Sequence, residues 1–358
     1  MDIKFDFINS DKKLIECCKE MKKEAVLGID LECENNLHYY GIRIALIQIS
    51  SKTKNYIIDT VALKSIDPFV DILEDEKIIK IFHDVSFDFR MLNYTYKCNC
   101  KNIYDTQLAV AFLGKHQTGL GELLEKYFNV KKECKFQMAN WVKRPIQEDM
   151  LEYAIHDTMH LIDLREILNK ELEKENKLTW FEEELKKLET KNWDYHQGVF
   201  LDIRGIKQLT NKERAIAFEL YNLREKLAEK VNRPIHFILS NKKLIEFSIK
   251  PMKNLKQWEN ITGVHPIVKI KAKEFLTATL KGLEKEYPVE ATKRKRYSQK
   301  QIEKFTELNE IKEKLSKKFN IPKHLILNKD EEKEIVLNEK LDFLSNWKKE
   351  LIELELNN

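Results

Sequence analysis

Three early runs, AVLGIDLE (25–32), IRIALIQIS (42–50) and NYIIDT (55–60), are β-branched or apolar with brief polar connections, the pattern of linked strands. A mixed pattern follows. It predicts a helix near 62–75, a strand at KIIKIFH (77–83), a helix over 85–94 and a strand at NIYDT (102–106). Three hairpin-linked strands followed by alternating helices and strands predict an α/β layer fold. From about residue 147 apolar positions recur at three- and four-residue spacing, and the chain reads helical to its end. The run IQEDMLEYAIHDTMHLIDLREILNKELEKENK (146–177) keeps this spacing for many turns.

The helical half contains a repeat. LREKLAEKVNRPIHFIL (223–239) and IKEKLSKKFNIPKHLIL (311–327) lie 88 residues apart and agree at nine of 17 positions. In each copy a basic amphipathic helix stops at a proline, and Ser240 or Asn328 then stands ready to cap the next helix. Two copies of a small helical domain are predicted. KRKRYSQK (293–300) between them reads as an exposed linker and a phosphate contact.

Charge sharpens this division. Residues 206–358 hold 33 Lys and Arg against 23 Asp and Glu, whereas residues 1–205 hold 30 against 36. A basic back half suits a polyanion and an acidic front half suits cations. The 358 residues allow two or three domains. No apolar stretch approaches the ~18 residues of a membrane span, and the start lacks the order of a secretory signal, so a cytoplasmic protein is expected. Six scattered cysteines form no disulfide or zinc framework. With nine glycines and no P-loop or Gly-rich fingerprint, no nucleotide cofactor is expected. The absence of a long heptad seam leaves a monomer as the expectation.

The chemistry lies in the carboxylates. Strand side chains alternate, so Asp30 and Glu32 share a face, and each raises the other's pKa unless a cation intervenes. IFHDVSFDFRML (81–92) carries Asp84 and Asp88 from a strand into a helix. EYAIHDTMHLIDL (152–164) puts Tyr153 and Asp157 four apart, on one helix face. Carboxylates from three elements suit hard divalent cations such as Mg²⁺ or Mn²⁺. A pair of such ions can stabilise the attacking and leaving oxygens of a phosphodiester displacement. HDTMH (156–160) also looks like a zinc-protease helix, but Asp157 replaces the glutamate and no third ligand follows; His156 and His160 read better as surface or packing residues.

IDLE, HDVSFD and YAIHD together resemble the three motifs of the DEDDy 3′–5′ exonucleases. YDTQLAVAF (104–112) and WVKRPIQEDMLEYAIHD (141–157) narrow the resemblance to ribonuclease D, and the helical copies resemble that family's HRDC domains. The resemblance implies a ribonuclease H-like α/β exonuclease domain at 1–172, followed by all-α HRDC-type domains at 206–288 and 297–358. It implies that Asp30, Glu32 and Asp157 hold one metal ion, with Asp30 bridging to a second that Asp88 supports, and that Tyr153 bonds the attacking water. Asp84 falls outside the motif, and Asp105 reads as structural. Leu31 as a wedge, Tyr40 and Phe87 as stacking groups and His83 beside them are the expected substrate contacts, although each also reads as plain core. Cys33 stands where an aromatic residue commonly follows Asp-x-Glu. The implied activity is metal-dependent 3′–5′ trimming of tRNA precursors and other structured RNAs. DNA trimming or a non-catalytic RNA-binding scaffold are the alternatives.

Overall fold

The computed structural model describes residues 4–115, 119–132, 135–195, 198–289 and 297–357; Lys293–Arg296 of the expected basic linker lie outside them. The chain divides into two compact units. Unit one comprises residues 1–32, 44–194 and 295–358, and unit two residues 33–43 and 195–294.

Unit one is built on a six-stranded sheet: β1 (Asp6–Ile8), β2 (Val26–Asn35), β3 (Ile42–Ser50), β4 (Asn55–Asp59), β5 (Ile79–Phe82) and β6 (Ile103–Asp105), in the order β1-β4-β3-β2-β5-β6. β3 and β4 are antiparallel, as their short connection dictates. β5 runs parallel to both β2 and β6, each crossover carrying a helix. The strands expected from sequence are all present. β1 was not expected: three residues pair parallel with β4, too few to show a period.

Helices α1 (Asp11–Met21), α2 (Asp67–Leu73), α3 (Val85–Tyr96), α4 (Thr106–Phe112), α5 (Leu120–Phe128), α6 (Glu148–Ile155), α7 (Leu161–Lys174) and α8 (Leu178–Thr190) complete the α/β part. The long helix expected over 146–177 is broken. α6 stops at Ile155, a hydrogen-bonded turn covers 156–160, and α7 begins at Leu161. Thr158 explains the break: its hydroxyl donates to the Ile155 carbonyl and bonds the Ser50 hydroxyl of β3 at 2.7 Å. Gly28 permits it. A Cβ there would sit 2.9 Å from the Thr158 carbonyl oxygen and 3.0 Å from Leu161 Cβ, so only glycine lets β2 come this close to the turn.

Unit two contains α9 (Asn211–Val231), α10 (Ile235–Ile238), α11 (Asn241–Ile249), α12 (Leu255–Glu259), α13 (Pro266–Ile270) and α14 (Ala272–Leu283) around Trp258 and Phe275. The second copy, α15 (Gln299–Phe319), α16 (Lys323–Ile326), α17 (Lys329–Asn338) and α18 (Asn346–Leu356), belongs to unit one. The copies keep their 88-residue register in detail. Capping boxes open α9 at Thr210 and α15 at Ser298, left-handed Asn232 and Asn320 close them, and Ser240 and Asn328 cap the helices after the prolines, as their residue types predict.

Candidate active site

β2 sets Asp30 and Glu32 on one face, while Ile29 and Leu31 are buried on the other. Asp157 enters from the turn after α6, where its amide donates to the Ala154 carbonyl at 3.2 Å. Oxygens of Asp30, Glu32 and Asp157 lie within 4.8 Å of one another, the one such cluster among the described residues. Asp88 sits in the first turn of α3, 6% exposed and close enough to Asp30 for each charge to be felt. Asp30, Glu32 and Asp157 therefore converge from two distant elements, with Asp88 outside that cluster but within electrostatic reach of Asp30. Asp157, expected on the helix with Tyr153, lies instead just beyond it, one turn away.

Burial and mutual repulsion dominate the electrostatics. Burial pushes Asp30 up to about 8, reinforced by the charge of Asp157. Burial pushes Glu32 up to about 9, with Asp30 and Asp157 adding to it. Burial holds Asp88 well above the usual carboxylate range, and Asp30 contributes. Asp157 is raised by burial and pulled back by Lys132. Lys132 is the residue the sequence reading missed: its ammonium pairs with Asp157 and lies 5.4 Å from the centre of the Tyr153 ring. Lysines are frequent in this stretch, and nothing in the sequence singles this one out. Gly28 was missed as well, although an isolated glycine in a strand is a signal of close backbone approach.

Tyr153 is held by Trp141, whose ring stacks at 6.2 Å, and by Phe136, edge-on at 5.5 Å. The segment bearing Trp141 is fastened by Arg144, whose Nε donates to Asp59 at 2.7 Å and whose terminal nitrogen reaches the Ala45 carbonyl at 3.2 Å. Asp84 and Asp105 are structural. Asp84 caps α3, accepting from the Ser86 amide. Asp105 accepts from the amides of Asp84, Val85, Gln107 and Leu108. His160 stacks on Phe128 at 4.9 Å, a packing role that removes it from any zinc site.

The expected substrate contacts divide. Phe87 is 40% exposed on α3, one residue before Asp88, and is free to stack. Leu31 is buried. His83 is neutral at physiological pH, because burial lowers it to about 4, and its Nδ1 bonds the Thr106 hydroxyl at 2.9 Å. Tyr40 is a correction. It packs against the core of unit two, and its hydroxyl donates to Glu225 at 3.5 Å, so its ring serves that core rather than a substrate base.

A buried set of mutually repelling carboxylates that draws in a lysine ammonium fits a hard divalent cation, which takes oxygen ligands and removes the repulsion. Asp30, Glu32 and Asp157 are the residues that would hold the ion.

The 3′–5′ exonuclease family matches residues 5–173, and the HRDC domain family matches residues 213–279. Fold and site thus define a DEDD-type 3′–5′ exonuclease module joined to an HRDC module. Ribonuclease D of Desulfotalea psychrophila is 30% identical over 246 residues, 67% of this chain and 65% of that protein. Ribonuclease D of Haemophilus influenzae is 30% identical over 171 residues, 48% and 43% of the two chains. The crystal structure of Escherichia coli RNase D is similar with a TM-score of 0.74 at 19% identity, covering 99% of this chain and 98% of that one. A Bifidobacterium adolescentis protein gives a TM-score of 0.81 at 18% identity over 98% and 95%. Across both modules the chain is similar to ribonuclease D. Its matches span less than two thirds of the length of these two curated relatives.

Proposed function

We propose that this protein is a metal-dependent 3′–5′ exoribonuclease that trims the 3′ ends of tRNA precursors and other structured RNAs, releasing 5′-mononucleotides. The observation that carries this reading is the convergence of Asp30, Glu32 and Asp157 within 4.8 Å, beside Asp88 and one turn from Tyr153. Asp30, Glu32 and Asp157 would hold one divalent ion, Mg²⁺ or Mn²⁺, and Asp30 with Asp88 a second. Such ions supply charge stabilisation to the attacking and leaving oxygens of a phosphodiester. The chain's own residues do the rest. Tyr153 orients the attacking water through its hydroxyl, and the Trp141 and Phe136 rings fix where that hydroxyl points. Phe87 offers a stacking face to a terminal base, since any base can stack on an aromatic ring. The lysine-rich helical copies supply phosphate affinity without sequence preference, which weakens as salt rises.

The choice of RNA follows the family, in which the E. coli relative is an exoribonuclease involved in structured RNA processing. The reading extends to a monomer acting on cytoplasmic RNA. The test incubates a 3′-extended tRNA and a DNA of matching sequence with Mg²⁺, Mn²⁺ or EDTA, using wild type and Asp30→Ala. RNA shortening that needs both metal and Asp30 supports the proposal. Equal or faster DNA trimming makes the protein a DNA exonuclease, and RNA binding without hydrolysis under either metal makes it a scaffold.

A further inference from the structure

Lys132 stands between α5 and α6, on a stretch that belongs to no helix or strand. Its side chain is 20% exposed, and its ammonium pairs with the buried carboxylate of Asp157. Its charge also reaches Asp30 and Glu32, so one lysine acts on all three members of the acidic cluster. A doubly charged ion held by that cluster and an ammonium on Asp157 would repel each other at close range, where burial leaves little water or salt to screen them. One has to yield. The ammonium has somewhere to go, because Lys132 also lines a cavity of about 320 Å³ whose wall includes Asp149 and Glu152 of α6. Lys135 pairs with Asp149 at 3.3 Å, whereas Glu152 has no ion-pair partner among the described residues.

We propose that Lys132 is a resident cation that holds the acidic site until a divalent ion arrives, so that this lysine sets the ion concentration at which the site loads. The inference rests on the reading of Asp30, Glu32 and Asp157 as metal ligands. Two consequences separate it from a plain salt bridge. Removing the ammonium removes a competitor, so a divalent ion binds more tightly. A lysine that merely braced Asp157 would have the opposite effect, since its loss would let the cluster loosen and weaken binding. Loading also frees the ammonium from Asp157, which leaves its nitrogen open to a reagent from solvent.

The test uses the full chain without RNA. Calorimetric titration with Mn²⁺ at pH 7 compares wild type, Lys132→Met, Lys132→Arg and Asp30→Asn. Lys132→Met is expected to bind about tenfold more tightly than wild type, as the coupling of close charge pairs allows. Lys132→Arg keeps a cation beside Asp157 and should stay within about twofold of wild type. A second measurement needs no variant, so it stands even where Lys132→Met unfolds. Wild type is briefly acetylated with acetic anhydride in Mn²⁺ or in EDTA, and Lys132 is followed by peptide mass spectrometry. Its labelling should rise severalfold with Mn²⁺ while that of exposed lysines elsewhere stays level. Binding that is lost in Asp30→Asn but equal or weaker in Lys132→Met, or labelling of Lys132 that ignores the ion, would overturn the proposal and leave the metal site standing. Absence of Mn²⁺ binding to wild type and Lys132→Met alike would overturn both.

Discussion

Replacing Asp30 by Asn removes one charge from the acidic cluster while keeping the shape of the side chain. With the pKa values of Asp30 and Glu32 raised to about 8 and about 9, both groups keep their protons at pH 6 in the absence of metal. Their folded values lie above their unfolded ones. The stability they contribute is therefore complete below about pH 4 and is lost as pH climbs through 8 and 9. At pH 9 the charges confront one another across 4.8 Å or less. With an effective dielectric of about 20, one such pair costs about 3 kcal/mol. The neutral amide of Asp30→Asn abolishes that repulsion.

Metal-free Asp30→Asn should thus match wild type below about pH 4 and exceed it by a margin that widens as pH rises through 8, to at least about 3 kcal/mol at pH 9, read from urea unfolding in EDTA. Mg²⁺ should reverse the order. Binding discharges protons from the cluster, so wild type gains more from the ion as pH rises, by about 2.7 kcal/mol at a hundredfold excess over Kd. The variant should gain little. A stability gap that is the same at pH 6 and pH 9, or equal stabilisation of both proteins by Mg²⁺, would refute the assignment of these carboxylates to one cation site.

Three further substitutions probe the parts around the cluster. Lys132→Met removes the ammonium paired with Asp157, and an uncompensated buried charge costs about 3–5 kcal/mol; the loss should appear by thermal unfolding in EDTA and shrink in saturating Mg²⁺, which takes over the neutralisation. Tyr153→Phe should reduce kcat on RNA about 100-fold, as expected for a lost proton-handling group, with Mg²⁺ affinity unchanged by calorimetry. Gly28→Ala puts a Cβ 2.9 Å from the Thr158 carbonyl and should cost about 1–3 kcal/mol by urea unfolding, while weakening Mg²⁺ binding because the turn carrying Asp157 must shift.

The acidic cluster was legible because its placement follows from local rules. Period-two alternation puts Asp30 and Glu32 on one face, and the start of α3 exposes Asp88 to the same sheet end. What escaped depends on contacts between distant segments. The break after Ile155 is written in the approach of Thr158 to Gly28 and Ser50, and periodicity within 146–177 cannot show it. Lys132 is one lysine among several until the fold sets it against Asp157. Tyr40 sits in a loop whose sequence suits a stacking platform equally well, and only its packing against unit two decides its role. β1 needs its partner β4 to be a strand at all.

The two helical copies show how one frame reaches two ends. Both are opened by the same capping box and closed by the same left-handed asparagine, because local capping rules act on each copy alone. Their apolar faces then part. The first copy closes its core on itself, with Trp258 stacked on Phe275 at 5.0 Å. In the second, Trp347 stacks on Trp180 at 5.1 Å and meets Phe112 at 5.6 Å, while its indole nitrogen donates to Glu184 at 3.0 Å. Lys348, 3% exposed, is satisfied by Glu184 and Glu331. The second copy thus completes the core of unit one along α4 and α8. A sequence selected to fit that partner departs from the pattern of a free-standing helical domain, which accounts for a family match confined to residues 213–279. It also restricts function: the face of α18 that carries Trp347 and Lys348 is committed to holding the catalytic unit together, so any phosphate contacts of this copy must come from its other, solvated lysines.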